Sequence, residues 1–432
     1  MKILTDVTMM AVLNDIKKNT CHTSERYSVD IKKETSCARC SGSAGRYIYE
    51  KKKRGRKRFS PSVCITHRCN LKCIYCYQKH DSSQNMTFDT AKKVVDWCFD
   101  HAPEDTDGIE FTFIGGEPLL EFNLIKDIFD YSFNKDSSKD VIFYATTNGT
   151  LLNDEMKDWF FQHRNSFYLR LSLDGTADTH NHNRSNSFDL IDIDFFRKTW
   201  PEMGAKMTLS DYSLNHLARD IEYLHSLGFD DIGGVNLCEG EFNWDKDEYI
   251  SALIPQLEEL VDYYADNPSL RLDQLFDKRI DLCEASVRPK VKRCGIGCET
   301  VFFDIDGTMY PCTYTTPMTF SRGQLEEIKK TNFTNPECFI DEDCFTGCYL
   351  YPICPTCSGA NYLVNKSFNI RNKTKCKILK LVSLYIAELL ARKIISSSSS
   401  LKDNQLFFTI EAIEHIKEKY LEEFLLFIEQ AM

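Results

Sequence analysis

Cys69-Asn70-Leu71-Lys72-Cys73-Ile74-Tyr75-Cys76 puts three thiols within eight residues, directly behind the strand-like run Val63-Cys64-Ile65-Thr66-His67. The spacing is Cys-x3-Cys-x2-Cys. Soft thiolates favour iron–sulfur or zinc centres over hard cations. A closed structural zinc site needs four ligands. Cys69, Cys73 and Cys76 are read as a set of three, with no fourth ligand close behind them. Three thiolates on a cluster leave one iron open to bind and reduce a ligand. The competing reading is a zinc knuckle completed from a distance.

Outward from this stretch, residues 60–240 alternate short apolar runs with amphipathic helices. Strands are expected at 63–67, 109–114, 141–146, 167–173, 205–209 and 231–237. Helices are expected at Thr90–His101, Glu121–Phe133 and Ser213–Leu227. The last carries Leu214, Leu217, Ile221 and Leu224 at helical spacing and stops at Gly228. Six βα units imply a parallel sheet.

The spacing, with aromatic Tyr75 before the last thiol, resembles the radical S-adenosylmethionine (SAM) superfamily. The resemblance implies an α/β fold, a partial (β/α)6 barrel with its reactive groups at the strands' C-terminal ends. It also implies that Cys69, Cys73 and Cys76 hold a [4Fe–4S] cluster whose open iron chelates SAM. Reductive cleavage of SAM then gives a 5′-deoxyadenosyl radical that abstracts hydrogen from a substrate. Gly115-Gly116-Glu117-Pro118 is similar to the segment that holds the SAM amino group. Asn148-Gly149 and Ser172-Leu173-Asp174-Gly175 end the next two strands, and Arg184 follows. The implied cofactor-binding set is therefore Tyr75, Gly115, Gly116, Glu117, Pro118, Asn148, Ser172, Asp174 and Arg184. Asn181 stands where relatives carry Asp, and no catalytic acid or base is assigned.

A second cysteine array runs from Cys294 to Cys376 and resembles the SPASM extension of peptide-modifying radical SAM enzymes. The inner spacing is Cys344-x3-Cys348-x5-Cys354-x2-Cys357, with the family's outer gaps exchanged. By resemblance, Cys294, Cys298, Cys312 and Cys357 hold one auxiliary [4Fe–4S] cluster, and Cys344, Cys348, Cys354 and Cys376 hold another. Zinc is the physical rival for four thiolates. Residues 348–362 look like maturases of ribosomally made cysteine-repeat peptides, which join a substrate cysteine to a carbon as a thioether. Anaerobic sulfatase maturases, which make formylglycine, are the nearest alternative. They carry Asp after the ligand matching Cys312, where this chain has Thr313. Carbon–carbon or carbon–oxygen crosslinking and a zinc-binding interaction module complete the alternatives.

The 432 residues divide on this reading into an extension (1–59), the barrel (60–275), the SPASM region (276–380) and C-terminal helices (381–432). A hydrophobic share of 42% is enough for a sizeable core. The net charge of −11 argues against a nucleic-acid partner, and no apolar run approaches the ~20 residues of a membrane span. A cytoplasmic protein is expected, in which nineteen cysteines serve metal rather than disulfides. The expected partners are a cysteine-rich precursor peptide with a leader and an electron donor such as flavodoxin or ferredoxin. Two local features stay open: a lone pair, Cys37 and Cys40, and a basic run from Lys51 to Arg58, read first as a solvated loop and alternatively as a docking site for an acidic peptide.

Overall fold

Near-continuous apolar runs become parallel strands buried on both faces, as Val141-Ile142-Phe143-Tyr144-Ala145 illustrates. The computed structural model describes residues 1–20, 58–80, 84–135, 139–238, 242–285 and 301–431 except Ser398 and Lys402, with 288, 290, 292 and 294–297 between. Cys37, Cys40, Cys298 and the basic run up to Lys57 lie outside the described residues. The strands are β1 (Arg58–Phe59), β2 (Ser62–Thr66), β3 (Gly108–Gly115), β4 (Asp140–Thr147), β5 (Phe167–Ser172), β6 (Ala205–Lys206), β7 (Ile232–Gly233), β8 (Phe302–Phe303) and β9 (Met309–Tyr310).

Strands β2 to β7 lie side by side in chain order, all parallel. β8 joins β2 in parallel, β9 returns antiparallel to β8, and β1 pairs with β3. No ladder among the described residues joins β7 to β9, so the sheet is an open, incomplete barrel. The hairpin that opens the second cysteine region thus belongs to the same sheet.

Strands β6 and β7 are shorter than the sequence implies. Gly234 takes a φ of +72°, a left-handed turn that interrupts regular pairing. The two chains nevertheless keep their direction, through a bridge between Leu209 and Leu237. The expected helix at 213–227 is split into a short turn, Tyr212–Asn215, and a helix, Leu217–Ser226, which Gly228 (φ +84°) stops as anticipated.

Phe111, Phe143 and Phe167 stack across neighbouring strands and meet Phe129 and Phe160 of the covering helices. Away from the sheet, helices Val7–Asn19, Asp247–Asp266, Cys376–Ile395 and Asp403–Ala431 pack together. The buried Glu388 carboxylate ties this cluster by accepting from the Ile3 and Leu4 amides and from Arg392 Nε. No helix among the described residues is long and apolar enough to cross a membrane.

Candidate metal and cofactor centre

Parallel strands bring the loops after β2, β3, β4 and β5 to one edge, and hydrogen bonds stitch them together. The Gly116 amide donates to Thr66 O (3.1 Å) and the Glu117 amide to Arg68 O (2.9 Å). A Cβ on Gly116 would lie 2.0 Å from Arg68 O and 2.8 Å from Cys69 Cβ. The glycine therefore lets the β3 loop press against the cysteine loop itself. Glu117 also turns inward. Its fully buried carboxylate accepts from the Thr147 hydroxyl (2.7 Å), the Leu119 amide (3.1 Å) and the Asn148 amide (2.8 Å). Burial raises its pKa although these donors oppose the shift. Asn148 in turn donates to Asn70 Oδ1 (2.9 Å), within the cysteine motif.

The loop after β5 completes the edge. Asp174 has no exposed surface and accepts from Tyr75 Oη, Arg184 Nε (3.0 Å), Arg184 Nη2 (3.2 Å) and the Thr208 amide (3.0 Å). Burial pushes its carboxyl up, but the Arg184 guanidinium outweighs this and holds it below the usual carboxylate range. Tyr75 is fixed between Asp174 and the Arg184 guanidinium, which lies over its ring at 5.3 Å. The Ile74 amide donates to Asn183 O (3.0 Å) and the Lys72 amide to Ser185 Oγ (2.9 Å). Ser172 ends β5 at this edge, buried, paired with Lys206 of β6. The candidate cofactor residues thus converge, and Glu117, Asn148 and Asp174 bind chiefly to protein.

Cys69 and Cys73 are half-buried and Cys76 is exposed. Burial pushes Cys69 up to about 11, with Glu117, Cys73 and Cys76 adding to the rise, so the three thiols feel one another. They do not all lie within 4.8 Å of each other, because Cys64, His67 and Asp304 form the only such group of three among the described residues. Sulfurs on one tetrahedral zinc would be about 3.8 Å apart at a Zn–S length near 2.3 Å. Three soft thiolates are the donor set that an iron–sulfur cluster takes, so the residues present fit one. In the tight group, His67 Nε2 already meets Asp304 Oδ1 (2.6 Å) and Cys64 Sγ donates to Thr66 O (3.5 Å), so it reads as a core tie between β2 and the β8–β9 turn.

One residue escaped the sequence reading. His80 does sit close behind Cys76, at Cys-x3-His spacing, and its Nε2 lies 3.3 Å from Cys76 Sγ. Burial pushes the Cys76 thiol up, but the His80 contact and nearby backbone bring it below the usual thiol range.

In the second array, Cys344, Cys348, Cys354 and Cys376 line one cavity of about 340 Å³. Its other walls are largely apolar, from Leu209 and Leu237 at the sheet edge to Ile378 and Val382, with Lys375 among its charged residues. Cys294 Sγ lies 3.4 Å from Ser358 Oγ, next to Cys357, and Cys294 raises the pKa of Cys312 after the larger effect of burial. Tyr77 spans the two arrays: burial pushes its hydroxyl up, Cys76, Cys312 and Cys357 add to the rise, and nearby Thr313 opposes it. Thr313, the residue after Cys312, thus lies beside Tyr77.

Residues 63–192 match the model of the radical SAM superfamily. An uncharacterised protein of Methanocaldococcus jannaschii is 27% identical over 255 residues, 57% of this chain and 82% of its own length. The cysteine-type anaerobic sulfatase-maturating enzyme of Clostridium perfringens is 26% identical over 287 residues, 60% of this chain and 75% of its own. The fold is similar to solved native anSMEcpe with bound AdoMet (TM-score 0.61, 19% identity, 78% of this chain and 99% of that one). It is also similar to the form with AdoMet and Cp18Cys peptide (TM-score 0.57, 20% identity, 79% and 99%).

Proposed function

This chain is an enzyme with a radical SAM domain over residues 63–192, and from that premise we propose that it is a peptide maturase. Cys69, Cys73 and Cys76 would hold the [4Fe–4S] cluster to which SAM binds. Cys344, Cys348, Cys354 and Cys376 would hold one auxiliary cluster, and Cys294, Cys298, Cys312 and Cys357 another. When bound, the first cluster and SAM supply a hydrogen-abstracting carbon radical, and the auxiliary centres supply electron-accepting capacity.

The protein's own residues orient and shield. Glu117 locks the β3 and β4 loops behind the cysteine motif, and Asn148 clasps Asn70. Asp174 holds both Tyr75 and Arg184, which keeps a cation buried beside the motif. Tyr77, stacked on Tyr314, joins the two arrays.

The observation that carries the reading is the four-thiol cavity beside the sheet edge. A lone hydrogen abstraction needs no second metal region, whereas a two-electron oxidation must dispose of a further electron. The substrate we favour is a cysteine-rich precursor peptide in which a cysteine sulfur joins a carbon. Each link loses two hydrogens: one atom abstracted from carbon, and the thiol proton together with one electron. Formylglycine formation is the second reading, favoured by the likeness to a sulfatase-maturating enzyme. Thr313, in place of an acid after Cys312, weighs against it.

Mass spectrometry of a cysteine-rich peptide encoded beside the gene tests the choice, after anaerobic incubation with enzyme, SAM and a flavodoxin or chemical reductant. Loss of two hydrogens per site with those cysteines no longer alkylatable supports the thioether. The same loss with cysteines still free supports a carbon–carbon or carbon–oxygen link. A cysteine converted to an aldehyde supports formylglycine.

A further inference from the structure

We propose that His80 is a positioning residue that donates a hydrogen bond to the Cys76 sulfur and thereby raises the reduction potential of the cluster held by Cys69, Cys73 and Cys76. This rests on the reading of those three thiols as cluster ligands.

The geometry comes from both ends of the imidazole. Nε2 lies 3.3 Å from Cys76 Sγ, within range for a hydrogen bond to sulfur. Nδ1 lies 3.0 Å from the His67 carbonyl oxygen, which can only accept. A ligated sulfur is a thiolate and also accepts, so the ring that bridges the two partners is the imidazolium, with a proton on each nitrogen. The anchor is itself fixed. The His67 amide donates to Gln84 O (3.2 Å), and its ring meets Asp304 Oδ1 at 2.6 Å. The His67 carbonyl therefore sits at a set point between β2 and the β8–β9 turn, and His80 is aimed from there.

Cys76 is the most exposed of the three thiols. His80 is the side chain that meets its sulfur, beside a backbone contribution from Gln78. Reduction adds an electron that is shared with the ligand sulfurs, so a fixed N–H at one of them stabilises the reduced state more than the oxidised one. Hydrogen bonds to ligand sulfurs are among the determinants of iron–sulfur potentials. His80 lies beyond the three-cysteine motif, and its role arises from this chain's Cys76-x3-His80 spacing.

The test is anaerobic redox potentiometry followed by EPR on the full-length reconstituted protein, comparing wild type, His80→Phe and His80→Gln, with iron counted in each. A change of the reduced-cluster signal on adding SAM identifies the relevant cluster. The expected result is unchanged iron content. At a fixed potential, His80→Phe should show about a tenfold lower reduced-to-oxidised ratio, ~59 mV for a one-electron couple. His80→Gln, which keeps an N–H donor, should fall between Phe and wild type. Identical potentials in all three proteins would overturn the proposal, and loss of the cluster in both variants would recast His80 as structural. A wild-type protein with no SAM-responsive cluster would instead overturn the assignment of Cys69, Cys73 and Cys76, a different result.

Discussion

Tyr77 and Tyr314 stack with ring centroids 3.9 Å apart and planes 8° apart, joining the segment behind Cys76 to the segment behind Cys312. The Lys79 amide continues the seam by donating to Met318 O (2.8 Å). The two cysteine regions are therefore held against each other by direct contact as well as by the shared sheet.

Tyr77→Ala should loosen this seam. Aromatic stacking is worth about 0.5–1.5 kcal/mol beyond area burial, and Tyr314 would lose its partner. Tyr77→Phe keeps the ring and removes only the hydroxyl. Anaerobic thermal melts should rank Ala clearly below Phe, with Phe near wild type. Equal melts for all three would contradict the seam.

Gly116→Ala should disturb the first cluster site without unfolding the barrel. The new Cβ meets backbone at 2.0 Å and Cys69 Cβ at 2.8 Å, so the cysteine loop must move. The expected outcome is a loss of about four irons per chain with near-normal circular dichroism. Gly323→Ala is the control, since nothing lies within 4 Å of its Cβ, and it should retain full iron.

Much of this was legible in the sequence because the signals are local. The Cys69–Cys76 spacing, the Gly-Gly-Glu-Pro turn and the alternation of strands and helices each sit within a few residues. The inward role of Glu117 was not legible, because its partners Thr147 and Asn148 are about thirty residues away and belong to a different strand end. The tie between His67 and Asp304 spans 237 positions, and so does not appear in any window of the sequence. His80 is different. Its Cys76-x3-His80 spacing is local and in plain view, and the reading that no cysteine or histidine sits close behind Cys76 is corrected by it.

Glu117→Gln should cost about 1–3 kcal/mol, because one amide oxygen cannot accept what two carboxylate oxygens accept from three donors. Urea unfolding of the anaerobic protein measures this. An unchanged midpoint would mean the carboxylate is not the clasp described.

Asp273 gives the fold a pH dependence of its own. It is fully buried, accepts from the Leu275 amide (2.7 Å) and Tyr264 Oη (3.0 Å), and burial raises its pKa to about 6. Between the ordinary carboxylate value near 4 and the folded value, the native state holds the extra proton. Stability should therefore fall as pH rises from about 4 to 6 and level off above, by on the order of 3 kcal/mol at most. Asp273→Asn should flatten that slope in urea titrations at pH 4.5 and 7. A slope unchanged by the substitution would contradict the assignment.

The most direct test of the central claim is the yield of 5′-deoxyadenosine from SAM under anaerobic reducing conditions, with wild type and the Cys69→Ala, Cys73→Ala, Cys76→Ala triple variant side by side. Formation by wild type and none by the variant, with the auxiliary iron retained, is the predicted result. Equal formation by both proteins, or none by a wild type shown to carry its clusters, would contradict it.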